Sequence, residues 1–137
     1  MNKHLYYTSM AGIISAILLT IWFFAVLIYP FKPVEFKQFK TSNQSIYAGE
    51  YIHFTLEFVK NYPIKPQIDW YLVDGSITKL NTGGVNRPLG KQITSSSRLI
   101  PKTTPKGKYR LQVDLMYEIT PFRKIYYSWQ SNEFEVK

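Results

Sequence analysis

From Leu5 to Tyr29 the sequence reads LYYTSMAGIISAILLTIWFFAVLIY, 25 residues without one charged side chain. In hydrocarbon every backbone polar group of such a stretch must find its partner within the segment, and an α-helix is the single-segment solution. At about 1.5 Å per residue the run is long enough to cross a hydrocarbon core of roughly 30 Å with some tilt. Tyr6, Tyr7 and Tyr29 stand near its ends, where aromatic rings meet head groups, while Trp22 lies too deep for that belt. Pro30 and Pro33 stop the helix. The segment reads as one uncleaved transmembrane anchor over 5–29, preceded by a short tail, 1–4. A cleaved signal peptide would have an apolar region of about 7–15 residues and a small-residue exit, and this run has neither.

Thr8, Gly12, Ala16 and Thr20 recur every fourth residue, so four small side chains line one helical face. Such a face lets a neighbouring helix approach closely, which makes integral membrane proteins the expected partners. Orientation depends on two opposed considerations. Lys32, Lys37 and Lys40 after the helix outnumber Lys3 before it, and basic flanks favour the cytoplasm. A signal-anchor with so short a tail nevertheless delivers its C-terminal domain outward. The expected location is a bacterial or phage-encoded inner membrane, with the C-terminal domain outside the cytoplasm.

The rest of the 137-residue chain has room for one domain. The absence of cysteine removes disulfides, thiolate nucleophiles and Cys-type zinc sites. Eleven Tyr and nine Phe suit pleated, half-buried surfaces. After a linker and possible first strand over 30–40, the pattern becomes period two. In EYIHFTLEFV, Ile52, Phe54, Leu56 and Phe58 share one face; in QIDWYLVDG, Ile68, Trp70 and Leu72 do, ending at the turn dipeptide Asp74-Gly75. SITKL reads as a short edge strand and QITSSSRLI as a weak, polar one, with the Gly-rich loop NTGGVNRPLGK between them. Over Tyr109–Ile119 the alternation is cleanest, and IYYSWQSNEFEVK returns with a bulge near Ser131-Asn132. The expectation is an all-β domain over 41–137, an antiparallel sandwich of about seven strands behind one transmembrane helix.

The stretch PKGKYRLQV resembles the entry to the penultimate strand of immunoglobulin-like and fibronectin type III domains. There a Pro- and Gly-bearing turn precedes a Tyr whose hydroxyl bonds back to nearby backbone, and Tyr109 occupies the matching position. Trp70 resembles the tryptophan that fills the centre of such sandwiches. The resemblance covers roughly 34–137 and departs in lacking the inter-sheet disulfide. It implies a fold, and this fold hosts many functions.

Catalytic chemistry finds little support in the residues. The two histidines, His4 and His53, have no recognisable partner, and no Asp-rich loop offers a calcium site. No cofactor is implied, and the protein reads as a non-enzyme. Its formal charge is +8. Arg98, Lys102, Lys106, Lys108 and Arg110, joined by Arg123 and Lys124, could form one basic face for anionic lipid or an envelope polymer. Tyr126 and Tyr127 are candidate docking aromatics. A nucleic-acid surface would need its aromatics on the same face as the cations, and over Tyr109–Ile119 they alternate with them. Two functions are expected from these residues: an accessory or structural subunit of a membrane assembly, docking through helix and domain, or a tethered module binding an anionic ligand through the basic face.

Overall fold

The computed structural model describes residues 3–83 and 86–137. The chain divides into two compact units after Phe31, each considered by itself.

The first unit is α1, Lys3–Ile28. Its Tyr6–Ile28 portion is long and apolar enough to cross a membrane, and none of it is buried within the protein. Hydroxyls on this helix bond to its own backbone: Thr20 Oγ1 donates to the Ala16 carbonyl at 2.8 Å and Ser9 Oγ to that of Tyr6 at 2.9 Å. The helical backbone includes Lys3 and His4 of the segment read as a tail over 1–4, and Met1 and Asn2 lie outside the described residues. The helix stops one residue earlier than expected, because Pro30 disfavours helical geometry at Tyr29.

The second unit is all β. Its strands are β1 Val34–Thr41, β2 Ser45–Ile46, β3 Tyr51–Lys60, β4 Gln67–Val73, β5 Ile77–Gly83, β6 Gly90–Leu99, β7 Gly107–Thr120 and β8 Arg123–Val136. They form a three-stranded sheet, β1-β3-β6, and a five-stranded sheet, β2-β8-β7-β4-β5. The described strands number eight, and β2 runs parallel to β8, so the larger sheet is mixed where an antiparallel one was expected.

The segment read as a linker is mostly β1. A register shift between Phe36 and Gln38 breaks its alternation, so that Val34, Phe39 and Thr41 are buried while Phe36 is not. A bulge of this kind hides period two from a sequence scan. The bulge expected near Ser131-Asn132 is present: Arg110 pairs with Glu133 and Gln112 with Gln130, leaving one residue of β7 opposite two of β8.

The sheets share one apolar core. Trp70 is buried in it, its ring 4.8 Å from that of Phe54 and 6.1 Å from that of Phe39, both on the smaller sheet. Ile52, Phe54, Leu111, Val113 and Tyr117 are among the core's fully enclosed side chains, each worth about 1.5–3 kcal/mol against exposure. Burial also pushes the Tyr117 phenol up to about 12. The Tyr109 hydroxyl donates to the Pro105 carbonyl at 2.8 Å, tying the start of β7 to the turn before it. Gly75 has φ 105°, a conformation that favours glycine in the β4–β5 turn, and Asp74 Oδ1 accepts from Ser76 N and Oγ at 3.1 and 2.7 Å.

One edge of the two sheets is joined. Asn132 Oδ1, from the β8 bulge, accepts the Thr41 amide of β1 at 2.8 Å, and the rings of Phe36 and Trp129 lie 4.8 Å apart. Among the described residues no ladder joins β6 to β5, the outermost strands on the other side.

Candidate functional site

The seven basic residues expected on one face are not brought together. Lys102 and Lys106 lie exposed on the β6–β7 connection, and Lys108 and Arg110 come next, at the start of β7. Arg123 and Lys124 lie at the far end of the same hairpin. From Lys108 to Thr120 β7 runs about 40 Å at roughly 3.3 Å per residue, beyond the screening length of physiological salt. Local acids also offset these charges: Lys108 Nζ lies 3.5 Å from Glu133 Oε1, Arg110 stands opposite Glu133, and Lys124 opposite Glu118.

Arg98 leaves the set entirely. Strand β6 pairs with β3 so that Arg98 stands opposite Ile52, Ser96 opposite Phe54 and Thr94 opposite Leu56. These β6 residues line the interior with those buried partners. Period two also places Arg98 in phase with Ile100, which is fully buried. The guanidinium of Arg98 stacks 4.3 Å from the Trp70 ring centroid and 5.6 Å from that of Phe54. Tyr127, expected to be exposed, packs against the core beside Tyr117 and Trp129, with ring centroids 6.2 Å from each. Tyr126 is 70% exposed, as a docking aromatic would be.

On the outer face of the larger sheet Tyr126 pairs with Met116, and Tyr71 with Gln112. A polar network lies between these rows. Gln130 Nε2 donates to Gln112 Oε1 at 2.8 Å, Gln112 Nε2 to Asp114 Oδ1 at 2.9 Å, and Ser128 Oγ to the same oxygen at 2.7 Å. Asp69 stands directly opposite Asp114, a like-charge pair that would be destabilising alone. Thr82 Oγ1 at 2.6 Å and Lys79 Nζ at 3.0 Å hold the Asp69 carboxylate and, in that order, lower its pKa.

A cavity of about 180 Å³ opens between the sheets where β5 and β6 remain unpaired among the described residues. Its wall on β6 is polar, formed by Thr94, Ser96 and Arg98, and the rest is largely apolar, including Trp70, Leu115 and Trp129. Lys60 and Arg87 also line it. Lys60 is 3% exposed; its ammonium donates to Asn86 Oδ1 at 2.6 Å and the Arg87 carbonyl at 2.8 Å, and burial lowers its pKa. The cavity is hidden in the sequence because Arg98 reads as part of an exposed basic face and Lys60 belongs to no motif. Strand parity is the available signal, since Lys60 is in phase with Ile52, Phe54 and Leu56.

His53 lies exposed on β3, opposite Ser97, and the side chain of His4 is outside the described residues. Among the described residues no three His, Asp or Glu gather as a metal-ligand group. Thr8, Gly12, Ala16 and Thr20 all fall within α1, and a Cβ added at Gly12 would meet nothing within 4 Å.

No family model matches the chain, and no curated protein matches it. Among solved structures it is similar to the alkylpurine DNA glycosylase AlkC of Pseudomonas fluorescens, bound to DNA containing an abasic site analog. That match has 15% identity and a TM-score of 0.48, covering 78% of this chain and 31% of the other. A sporulation control protein of Bacillus subtilis is similar at 13% identity and the same TM-score of 0.48, covering 78% of this chain and 50% of the other. The chain thus spans 31% of the length of the first protein and 50% of the second.

Proposed function

We propose that this is a non-enzymatic, single-pass membrane protein, an accessory or structural subunit of a larger membrane assembly. In this reading α1 anchors the chain and packs against partner helices. An immunoglobulin-like β domain, outside the cytoplasm of a bacterial or phage-encoded inner membrane, docks on the exposed part of the same partner. The observation that carries the reading is α1 itself. Over Tyr6–Ile28 it is apolar and unburied, a surface that water solvates poorly and that lipid and neighbouring helices cover.

The immunoglobulin-like assignment draws support from Trp70 buried in the core and from the Tyr109–Pro105 hydrogen bond. Docking draws support from the outer face bearing Tyr71, Met116 and Tyr126 around a hydrogen-bonded network. Tyrosine and methionine are enriched where proteins meet, and a partner held in the same membrane needs little further affinity. The non-enzymatic reading rests on the residue inventory, without cysteine and with two histidines distant in sequence.

Extraction of the full chain in a mild detergent, followed by native size analysis, tests the proposal. The expected result is migration with a stoichiometric integral membrane partner. Migration of the chain alone as a monomer would reject the assembly.

A further inference from the structure

The cavity between β5 and β6 combines features that an ordinary sandwich interior avoids. An edge strand that closes an apolar core would present apolar side chains inward, yet β6 turns Thr94, Ser96 and Arg98 toward it. The Arg98 guanidinium is fixed on the Trp70 face, and its Nη1 donates to the Ser97 carbonyl at 2.8 Å. Its Nε is buried without a hydrogen-bond partner. A half-buried guanidinium with an enclosed, unpaired N–H normally meets a carboxylate, because desolvating the charge is costly. Among the described residues no carboxylate lines this cavity, whereas Lys60 and Arg87 add two further cations.

We infer that this cavity is a binding site for a small anionic amphiphile, a single-chain carboxylate whose acid group seats at Arg98 and whose apolar body lies against Trp70 and Phe54. The site is separate from the outer docking face and does not depend on it. Size restricts the ligand. An apolar cavity of about 150 Å³ takes one benzene molecule, so about 180 Å³ admits roughly six carbons of apolar body. A diacyl lipid exceeds it. The arrangement is that of a small-molecule pocket, largely apolar with a few placed polar groups that fix orientation.

The test uses the full chain in nanodiscs of zwitterionic lipid, carrying Trp22→Phe so that Trp70 and Trp129 report. The probe is 6-bromohexanoate, whose five methylenes and bromine match the cavity and whose bromine quenches nearby indoles, and 6-bromohexanol is its neutral counterpart. Expected results are saturable quenching by the acid, at least tenfold weaker binding of the alcohol, and at least tenfold weaker binding of the acid to Arg98→Gln. Lys102→Gln, a change at an exposed cation outside the cavity, leaves the affinity within twofold. Non-saturable quenching, equal binding of acid and alcohol, or an equal loss in Lys102→Gln would each overturn the assignment. The comparison of acid with alcohol on the protein without Arg98→Gln keeps the test valid if that variant does not fold.

Discussion

The guanidinium carbon of Arg98 lies 4.3 Å from the centroid of the Trp70 ring, linking an edge strand of the smaller sheet to β4 of the larger. A cation in this position gains from the ring's negative face but loses hydration, and burial lowers its pKa. The two effects oppose each other. Replacement by an apolar side chain of similar length, Arg98→Met, therefore changes unfolding free energy by less than about 1 kcal/mol. Trp70→Ala opens the core and costs about 3–5 kcal/mol. Urea denaturation of both variants measures the contrast, and equal losses would refute this division of roles.

Tyr109 contributes through its hydroxyl as well as its ring. Tyr109→Phe keeps the buried ring and removes the bond to the Pro105 carbonyl, at a cost of about 1 kcal/mol. Thermal unfolding of the two proteins measures it. An unchanged melting temperature would mean that the turn before β7 is held by other contacts.

The β8 bulge depends on one hydroxyl. The Leu111 amide donates to Ser131 Oγ at 3.0 Å, in place of the ladder bond that the bulge interrupts. Ser131→Ala leaves that buried donor without its partner and destabilises by about 1–3 kcal/mol, whereas Ser131→Thr, which keeps the hydroxyl, costs less. Amide exchange at Leu111 reads the effect directly, and protection unchanged in Ser131→Ala would refute it.

Lys60 ties stability to pH. Its folded pKa is lowered by burial, so below that value it is charged in both states, and above about 10.4 neutral in both. Between the two values the unfolded chain holds the extra proton, and stability rises with pH across the window. Lys60→Gln removes this contribution. The stability difference between the two proteins, measured by denaturation upward from neutral pH, shifts in favour of Lys60 as pH rises; a constant difference would contradict the assignment.

Much of the architecture is legible in the sequence because period two is clear wherever a strand has one wet and one buried face. Ile52, Phe54 and Leu56 in β3, and Leu111, Val113 and Leu115 in β7, are buried as their alternation requires. β1 is harder to read because the shift between Phe36 and Gln38 breaks its period, and β2 is two residues long. The parallel pairing of β2 with β8 is a tertiary relationship without a local signature. The basic face fails for a related reason. Strand parity turns Arg98 inward, and the length of β7 separates Arg123 and Lys124 from Lys102, Lys106, Lys108 and Arg110.

The central claim is that helix and domain engage one membrane partner, and it is tested most directly in intact membranes. A photo-crosslinking amino acid is placed at Ala16 in α1 and, in a separate protein, at Tyr126 on the outer face of the larger sheet. The account predicts that both positions attach the same integral membrane protein. Recovery of only uncrosslinked chain, or of copies of this chain joined to one another, would contradict it.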